Sequence, residues 1–190
     1  METLRTIKDV LKDAEDRMHK AVEAVRQELA KIRTGKATTT LLDSIKVDYY
    51  GTMVPLHQIA NVSTPDVHLI TVTPWEKAMI PVIEKAILNA NLGLNPANDG
   101  TMIRVPIPPL SEERRRELVK LVKRFGEEGK VAIRNVRRDA NEHLKRAEKE
   151  EHLSEDERKR GEAEVQKITD KYIKEVEVLL ELKEKEIMEV

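Results

Sequence analysis

Three stretches of this 190-residue chain each carry one apolar stripe at helical spacing, and none can bury its stripe alone. In the first, apolar residues recur at Leu4, Ile7, Leu11, Ala14, Met18, Ala21, Val25, Leu29 and Ile32, always three or four apart. The second restarts at Ser111, a natural N-cap, with Glu112 and Glu113 facing the positive end of the helix dipole. It continues to about residue 150, although Gly126 and Gly129 each cost roughly 1 kcal/mol against Ala and mark an expected weak spot. After a turn at His152 and Leu153, Ser154 and Glu157 form a capping box that launches the third. Its seam reads Val165, Ile168, Tyr172, Val176, Leu179 and, after Leu182, Ile187. Packing the three stripes together in a bundle is the economical solution.

The stretch between the first and second helices has another texture. Residues 34–40, with Gly35 and three consecutive threonines, break the helical pattern and read as a bend or linker. Residues 45–50 alternate, Gly51 and Thr52 offer a turn, and Met53 and Val54 resume the strand. Residues 58–63 and 67–73 are further β-like runs, punctuated by Pro55, Pro65 and Pro74. Residues 76–90 read as a helix that tolerates Pro81 only within its first turn. Residues 91–96 stop it, and residues 102–105 form a closing strand before the stiff run Pro106, Ile107, Pro108, Pro109.

The predicted class is therefore α+β: a discontinuous three-helix bundle, residues 1–34 and 108–190, with a small β/α/β domain, residues 35–107, inserted in it. The chain crosses twice between them, at Gly35 and Lys36 and again at Pro106, Pro108 and Pro109. A double crossing of this kind invites hinge motion.

Composition removes several kinds of chemistry. The chain has no Cys, which excludes disulfides, thiolate metal sites and cysteine nucleophiles. No run of about 18 apolar residues offers a membrane span, and the polar N-terminal pattern gives no leader, so a soluble, intracellular protein of bacterial type is expected. Aromatics at 3 % against 36 % charged residues favour long charge-laced helices over a β-sandwich. The five histidines, His19, His57, His68, His143 and His152, share no ligand spacing with one another or with carboxylates. The run from Gly126 to Lys130 lacks the spacing and the preceding strand of a phosphate loop. Asn61-Val62-Ser63 is a glycosylation sequon only in form, there being no secretory signal. Neither catalytic residues nor a metal, cofactor or small-molecule substrate is expected.

Charge is the informative feature. The net of −1 hides a block at 111–138 with ten Lys and Arg against five Glu, followed by residues 139–190 with eleven against seventeen acids. At about 100° per residue, Arg115, Arg116, Lys120, Lys123, Lys130, Arg134, Arg137 and Arg138 fall in one arc of about 140°, its middle about 120° from the centre of the apolar stripe. Solvated faces usually intersperse both signs to gain i,i+4 pairs, yet between Arg115 and Arg138 Glu127 is the one acid in the arc. A stripe that repels itself over many turns, and is rich in guanidinium where it is densest, implies an external polyanion, the backbone of RNA or DNA. The scarcity of aromatics disfavours base stacking and points to a double-stranded or folded RNA surface. A coiled-coil adaptor and a helical RNA-binding chaperone remain alternatives, the first explaining the seams and the second the arc.

Five blocks, in order, resemble the bacterial ribosome recycling factor family. They are Lys31-Ile32-Arg33-Thr34-Gly35-Lys36-Ala37; Val47-Asp48-Tyr49-Tyr50-Gly51; Leu92-Gly93-Leu94-Asn95-Pro96 with Asp99-Gly100; residues 104–110 with Glu112-Glu113-Arg114-Arg115; and residues 131–141, from Val131 through Arg134, Arg137 and Arg138 to Asn141. Lys36 and Thr39 stand where many members have Arg and Pro. The resemblance implies an L-shaped, hinged molecule proportioned like a transfer RNA, monomeric and cytoplasmic. It also implies binding to the post-termination ribosome and, with elongation factor G and GTP, its separation into subunits with release of mRNA and tRNA. By motif, Arg134, Arg137 and Arg115 would contact large-subunit ribosomal RNA. Lys123, Lys130 and Arg138 share their arc and are the further expected contacts.

Overall fold

The computed structural model describes residues 6–150 and 152–189; Leu4, which opens the first predicted stripe, lies outside them. The regular elements run α1 (Ile7–Ala30), β1 (Lys46–Tyr49), β2 (Thr52–Pro55), β3 (Ala60–Asp66), β4 (Leu69–Pro74), α2 (Ile80–Asn89), β5 (Ala97–Asn98), β6 (Ile103–Pro106), α3 (Glu112–Lys149) and α4 (Glu155–Met188). Two compact units result, one holding α1, α3 and α4, the other spanning Arg33–Ser111.

In the helical unit α1 is capped by Thr6, whose hydroxyl accepts the Asp9 amide at 3.1 Å. Its buried line is Val10, Ala14, Met18, Val22, Val25 and Leu29. Val10 and Val22, outside the predicted stripe, are buried while Ile7, Leu11 and Ala21 are half-buried, because α1 packs against two helices and its apolar face is correspondingly wide.

Helix α3 is continuous for 38 residues, so Gly126 and Gly129 do not break it. Both are buried where neighbouring helices come closest. A Cβ on Gly129 would collide with Cγ2 of Val25 in α1, and one on Gly126 with the methyl groups of Leu180 in α4. Helix α4 has the matching device, since a Cβ on Gly161 would lie 3.1 Å from both Leu144 methyls. Ser154 caps α4 as expected, its hydroxyl accepting the Glu157 amide at 3.1 Å.

The buried line of α4 is Gly161, Val165, Thr169, Tyr172, Val176 and Ile187, which corrects the predicted seam. Ile168 and Leu179 are half-buried and Leu182 is exposed. Close approach favours the small Gly161 and the compact Thr169, whose hydroxyl donates to the Val165 carbonyl at 2.8 Å and so is not itself left unpaired. Polar contacts fix the helix order: Arg17 meets Asp139 at 2.8 Å, the Tyr172 hydroxyl donates to Glu15 at 3.3 Å, and Arg158 bridges Glu148 and Glu162 across the α3–α4 turn.

The smaller unit is built on an antiparallel sheet of order β3-β4-β6-β5, with β1 and β2 as a separate hairpin. The hairpin has Tyr49 opposite Thr52, and both loop residues, Tyr50 (φ 49) and Gly51 (φ 90), have positive φ, the pattern of a type I′ turn. Pro65 lies within β3, which reaches Asp66, because β3 is an edge strand and its register shifts between Ser63 and Asp66. Pro81 occupies the first turn of α2, as expected, and a 3₁₀ turn over Lys77–Met79 precedes it, so the helix starts four residues later than the predicted range. The core sets Ile70, Val72, Ile103 and Val105 of the sheet against Ile83 and Ile87 of α2. The two-residue β5, between the predicted stop at residues 91–96 and the predicted closing strand, is an element the sequence reading missed; it is tied to β6 by the turn at Asp99. Asp99 Oδ1 accepts from the Thr101 amide, the Thr101 hydroxyl and the Met102 amide at 2.8–2.9 Å, and these donors hold its carboxyl down at about 2.

Two predictions follow from this packing. Gly129→Ala should destabilise the helical unit by roughly 1–2 kcal/mol: the clash is with a β-branched neighbour held to one rotamer, and overpacking outweighs the gain in helix propensity. Gly126→Ala meets the end of a flexible leucine and should be close to neutral; urea unfolding followed by far-ultraviolet circular dichroism compares the two, and equal stabilities would refute the assignment. In the smaller unit, the folded carboxyl of Asp99 titrates below its unfolded value of 3.8, so its stabilisation is complete above about pH 4 and is lost as pH falls toward 2. Asp99→Ala should lower the unit's stability at neutral pH and remove that acid step, as amide exchange of the β5–β6 turn against pH would register.

Candidate nucleic-acid interface

The eight cations of the predicted arc all lie on α3, but they are not equivalent. Lys120, Lys123 and Arg138 are exposed, Arg134 is half-buried, and among the described residues none of the four has a carboxylate within ion-pair range. Arg116 is paired with Glu112 one turn earlier at 2.7 Å. Arg137 donates to the Gln166 side-chain oxygen at 3.4 Å, which orients the guanidinium without neutralising it. Lys130 is only 17 % exposed at its side chain, its ammonium 3.5 Å from Glu177 of α4 and 3.9 Å from Glu127. Arg115 is half-buried, and its Nε is buried with no acceptor among the described residues.

These differences have one origin. The residues buried on α3 include Gly126 and Gly129, which an apolar-residue count omits, and Leu144, beyond the basic block, and they centre about 90° from the middle of the arc rather than 120°. The buried face thus turns toward the cations, and Arg115, Lys130 and Arg137 sit on its shoulder, where α4 reaches Lys130 and Arg137. What remains outward is a track through Lys120, Lys123, Arg134 and Arg138. Lys145 extends it: it is exposed, has no acidic partner among the described residues and falls in the same arc. Charge counting by segment stopped at Arg138; the helical wheel continued through the end of α3 would have found it. From Lys120 to Lys145 the track covers about 37 Å at 1.5 Å per residue. Such a line of cations, with Glu127 the single acid among them in the arc, attracts a polyanion and gives it position rather than sequence recognition.

Two exposed aromatics, Tyr50 and Trp75, qualify the expectation drawn from the low aromatic content. Both belong to the smaller unit, where the Tyr49 and Tyr50 hydroxyls donate to Glu76 at 2.6 and 2.8 Å; the cationic track carries no exposed aromatic ring. Among the described residues no group of three His, Asp or Glu is placed to hold a metal ion, and no helix is long and apolar enough to cross a membrane.

The predicted linker residues are held by the smaller unit. Gly35 has φ 76, and its carbonyl oxygen accepts from His68 Nδ1 at 2.9 Å. An added Cβ there would lie 3.1 Å from Leu110 Cγ. On the other crossing, the Ile107 amide donates to the His68 carbonyl at 2.8 Å, while Pro106, Pro108 and Pro109 are exposed and Lys36 is half-buried.

Comparison with known proteins identifies the family. The family profile described as "Ribosome recycling factor" matches residues 25–188. The ribosome-recycling factor of Legionella pneumophila (strain Paris) is 55 % identical over 184 residues, covering 97 % of this chain and all of that protein. That of Symbiobacterium thermophilum is 56 % identical over 183 residues, 96 % of this chain and 99 % of its own. Among solved structures, a solution structure of a ribosome recycling factor is 48 % identical over 98 % of this chain and all of its own, with a TM-score of 0.72. The Thermus thermophilus factor, in a structure with Escherichia coli elongation factor G on the E. coli post-termination complex, is 49 % identical over 97 % of this chain and all of its own, with a TM-score of 0.61. With the profile spanning both compact units and relatives more than half identical along nearly the whole length, this chain belongs to the ribosome recycling factor family.

Proposed function

We propose that this protein binds the post-termination ribosome in the cytoplasm, lays α3 on ribosomal RNA of the large subunit, and with elongation factor G and GTP drives the subunits apart, releasing mRNA and tRNA. The observation that carries this reading is the unneutralised line of Lys120, Lys123, Arg134 and Arg138 on a continuous helix, in a chain of a family whose members include a factor placed with elongation factor G on the post-termination complex. Arg115 and Arg137 contribute from its edge, and Lys130 lies beside them. The contacts are to phosphate, so they anchor the helix without reading bases.

The work itself is mechanical. The proposed working domains are residues 1–34 with 108–190 and residues 35–107, joined at Gly35, Lys36, Pro106, Pro108 and Pro109. The anchored domain holds its place while the translocase displaces the smaller one, so the hydrolysis carried out by another protein becomes displacement. The chain supplies shape and charge; the nucleotide chemistry belongs to the partner.

Light scattering of post-termination ribosomes should show subunit separation only with this protein, elongation factor G and GTP together. Reversing Arg134 and Arg138 to Glu should leave helical content unchanged, both side chains lying off the buried face, yet lower ribosome affinity roughly tenfold or more and flatten its salt dependence by about two contacts. Unchanged affinity would refute the anchoring role, and equal competition by bulk RNA would favour a general RNA chaperone. Because the chain has no Cys of its own, one cysteine can be introduced in each unit and tethered. The tethered protein should bind ribosomes and fail to split them; full splitting would refute the displacement mechanism.

A further inference from the structure

Lys130 occupies the cationic arc but is withheld from it by an acid of another helix. At the neighbouring position Gly129 lets α3 and α4 approach, a Cβ there lying 4.0 Å from Cγ2 of the fully buried Val176. The next residue on each helix, Lys130 and Glu177, therefore meets its counterpart at the rim, with the ammonium 3.5 Å from the carboxylate. Glu177 is 54 % exposed, whereas Lys130 is 17 % exposed, so the acid is the more accessible partner of the pair. Glu127, on α3 itself, lies at 3.9 Å, near the limit of ion pairing. Two turns further along α3, Arg137 donates to the neutral side chain of Gln166 on α4 and keeps its charge.

We propose that Glu177 is an internal competitor of RNA phosphate: it holds Lys130 out of the cationic track and so sets the affinity of the anchor below what the arc would otherwise reach. This inference rests on the reading of α3 as the ribosomal RNA contact. Glu177 touches no RNA; it is a positioning residue acting through Lys130. The physical requirement is that an ion pair at the rim, with one partner exposed, is weak enough to be displaced or removed without unfolding the bundle. Freed of Glu177, the four-carbon lysine stem can swing outward beside Arg134, one turn on, and add one phosphate contact. A factor that must leave the ribosome after each round gains from an anchor of limited strength.

Binding of the full-length protein to large ribosomal subunits, measured between about 50 and 200 mM salt, tests this. Glu177→Gln should bind more tightly and steepen the salt slope by about one contact, so that its advantage over wild type widens about 3.5-fold across that range. Lys130→Met alone should change binding little, and it should abolish the gain when combined with Glu177→Gln. Glu177→Gln indistinguishable from wild type overturns the proposal, as does a gain that persists in the double variant, which would be long-range repulsion, or a loss in Lys130→Met alone, which would place Lys130 on RNA already. Arg134→Glu run in parallel separates the two levels: if it too leaves binding unchanged, the RNA contact itself falls, whereas a loss there beside a silent Glu177→Gln removes only the competitor.

Discussion

The helical unit depends on how closely α1 and α4 approach α3. Three amphipathic helices can share a core in many rotations about their own axes, and large apolar side chains alone discriminate poorly among them. Gly126 and Gly129 resolve the choice: their missing side chains accept Leu180 from one neighbour and Val25 from the other, so each partner seats at one position along α3. Gly161 does the same for Leu144. Intrinsic helix propensity argues against glycine here by roughly 1 kcal/mol apiece. The residues persist in an unbroken helix because interhelical packing exceeds that cost.

That rotation decides which charges face outward. Turning the buried face of α3 toward the arc places α4 against its shoulder, and α4 then acts on the cations individually. Lys130 meets a carboxylate, Arg137 an amide, and the line from Lys120 to Arg138 meets nothing acidic among the described residues. A nearly neutral protein thereby presents a strongly cationic ridge without any excess of bulk charge. The acids that balance it lie mostly after residue 138, and pairs such as Arg17 with Asp139 consume charge in holding helices together.

Much of this was legible in the sequence, for identifiable reasons. Period-3.6 stripes, the Ser154 cap and the alternation at residues 45–50 are local signals, and the elements they specify formed. The failures occurred where a residue's role is set by a neighbour remote in sequence. Gly126 and Gly129 read locally as weakness, since nothing in the pattern names Leu180 or Val25 as occupants of the space. Ile168 looked more like core than Thr169, because a stripe count ranks residues by apolarity whereas a tight interface ranks them by size. The eight cations do share α3, but the wheel weighted them equally: the pairing of Lys130 with Glu177 joins positions 47 apart, and no spacing rule connects them. The extent of the arc to Lys145 was available from the wheel and was cut short by counting charge in segments.

A machine part without chemistry of its own has to solve a problem that an active site does not. An enzyme can bind its transition state tightly because the reaction destroys that state, whereas an anchor on RNA meets the same phosphates before and after its work. Every added cation lengthens the stay as well as strengthening the grip, and over 37 Å of helix a fully unpaired arc would contribute the salt-dependent affinity of many contacts. On the proposed reading, acids placed beside some of the cations would separate the two demands: unpaired Arg134 and Arg138 would fix the position of the helix, and paired positions such as Lys130 would hold the total affinity down. On this view the ion pairs at the rim of α3 are part of the binding surface, since what they withhold from RNA matters as much as what the open cations offer.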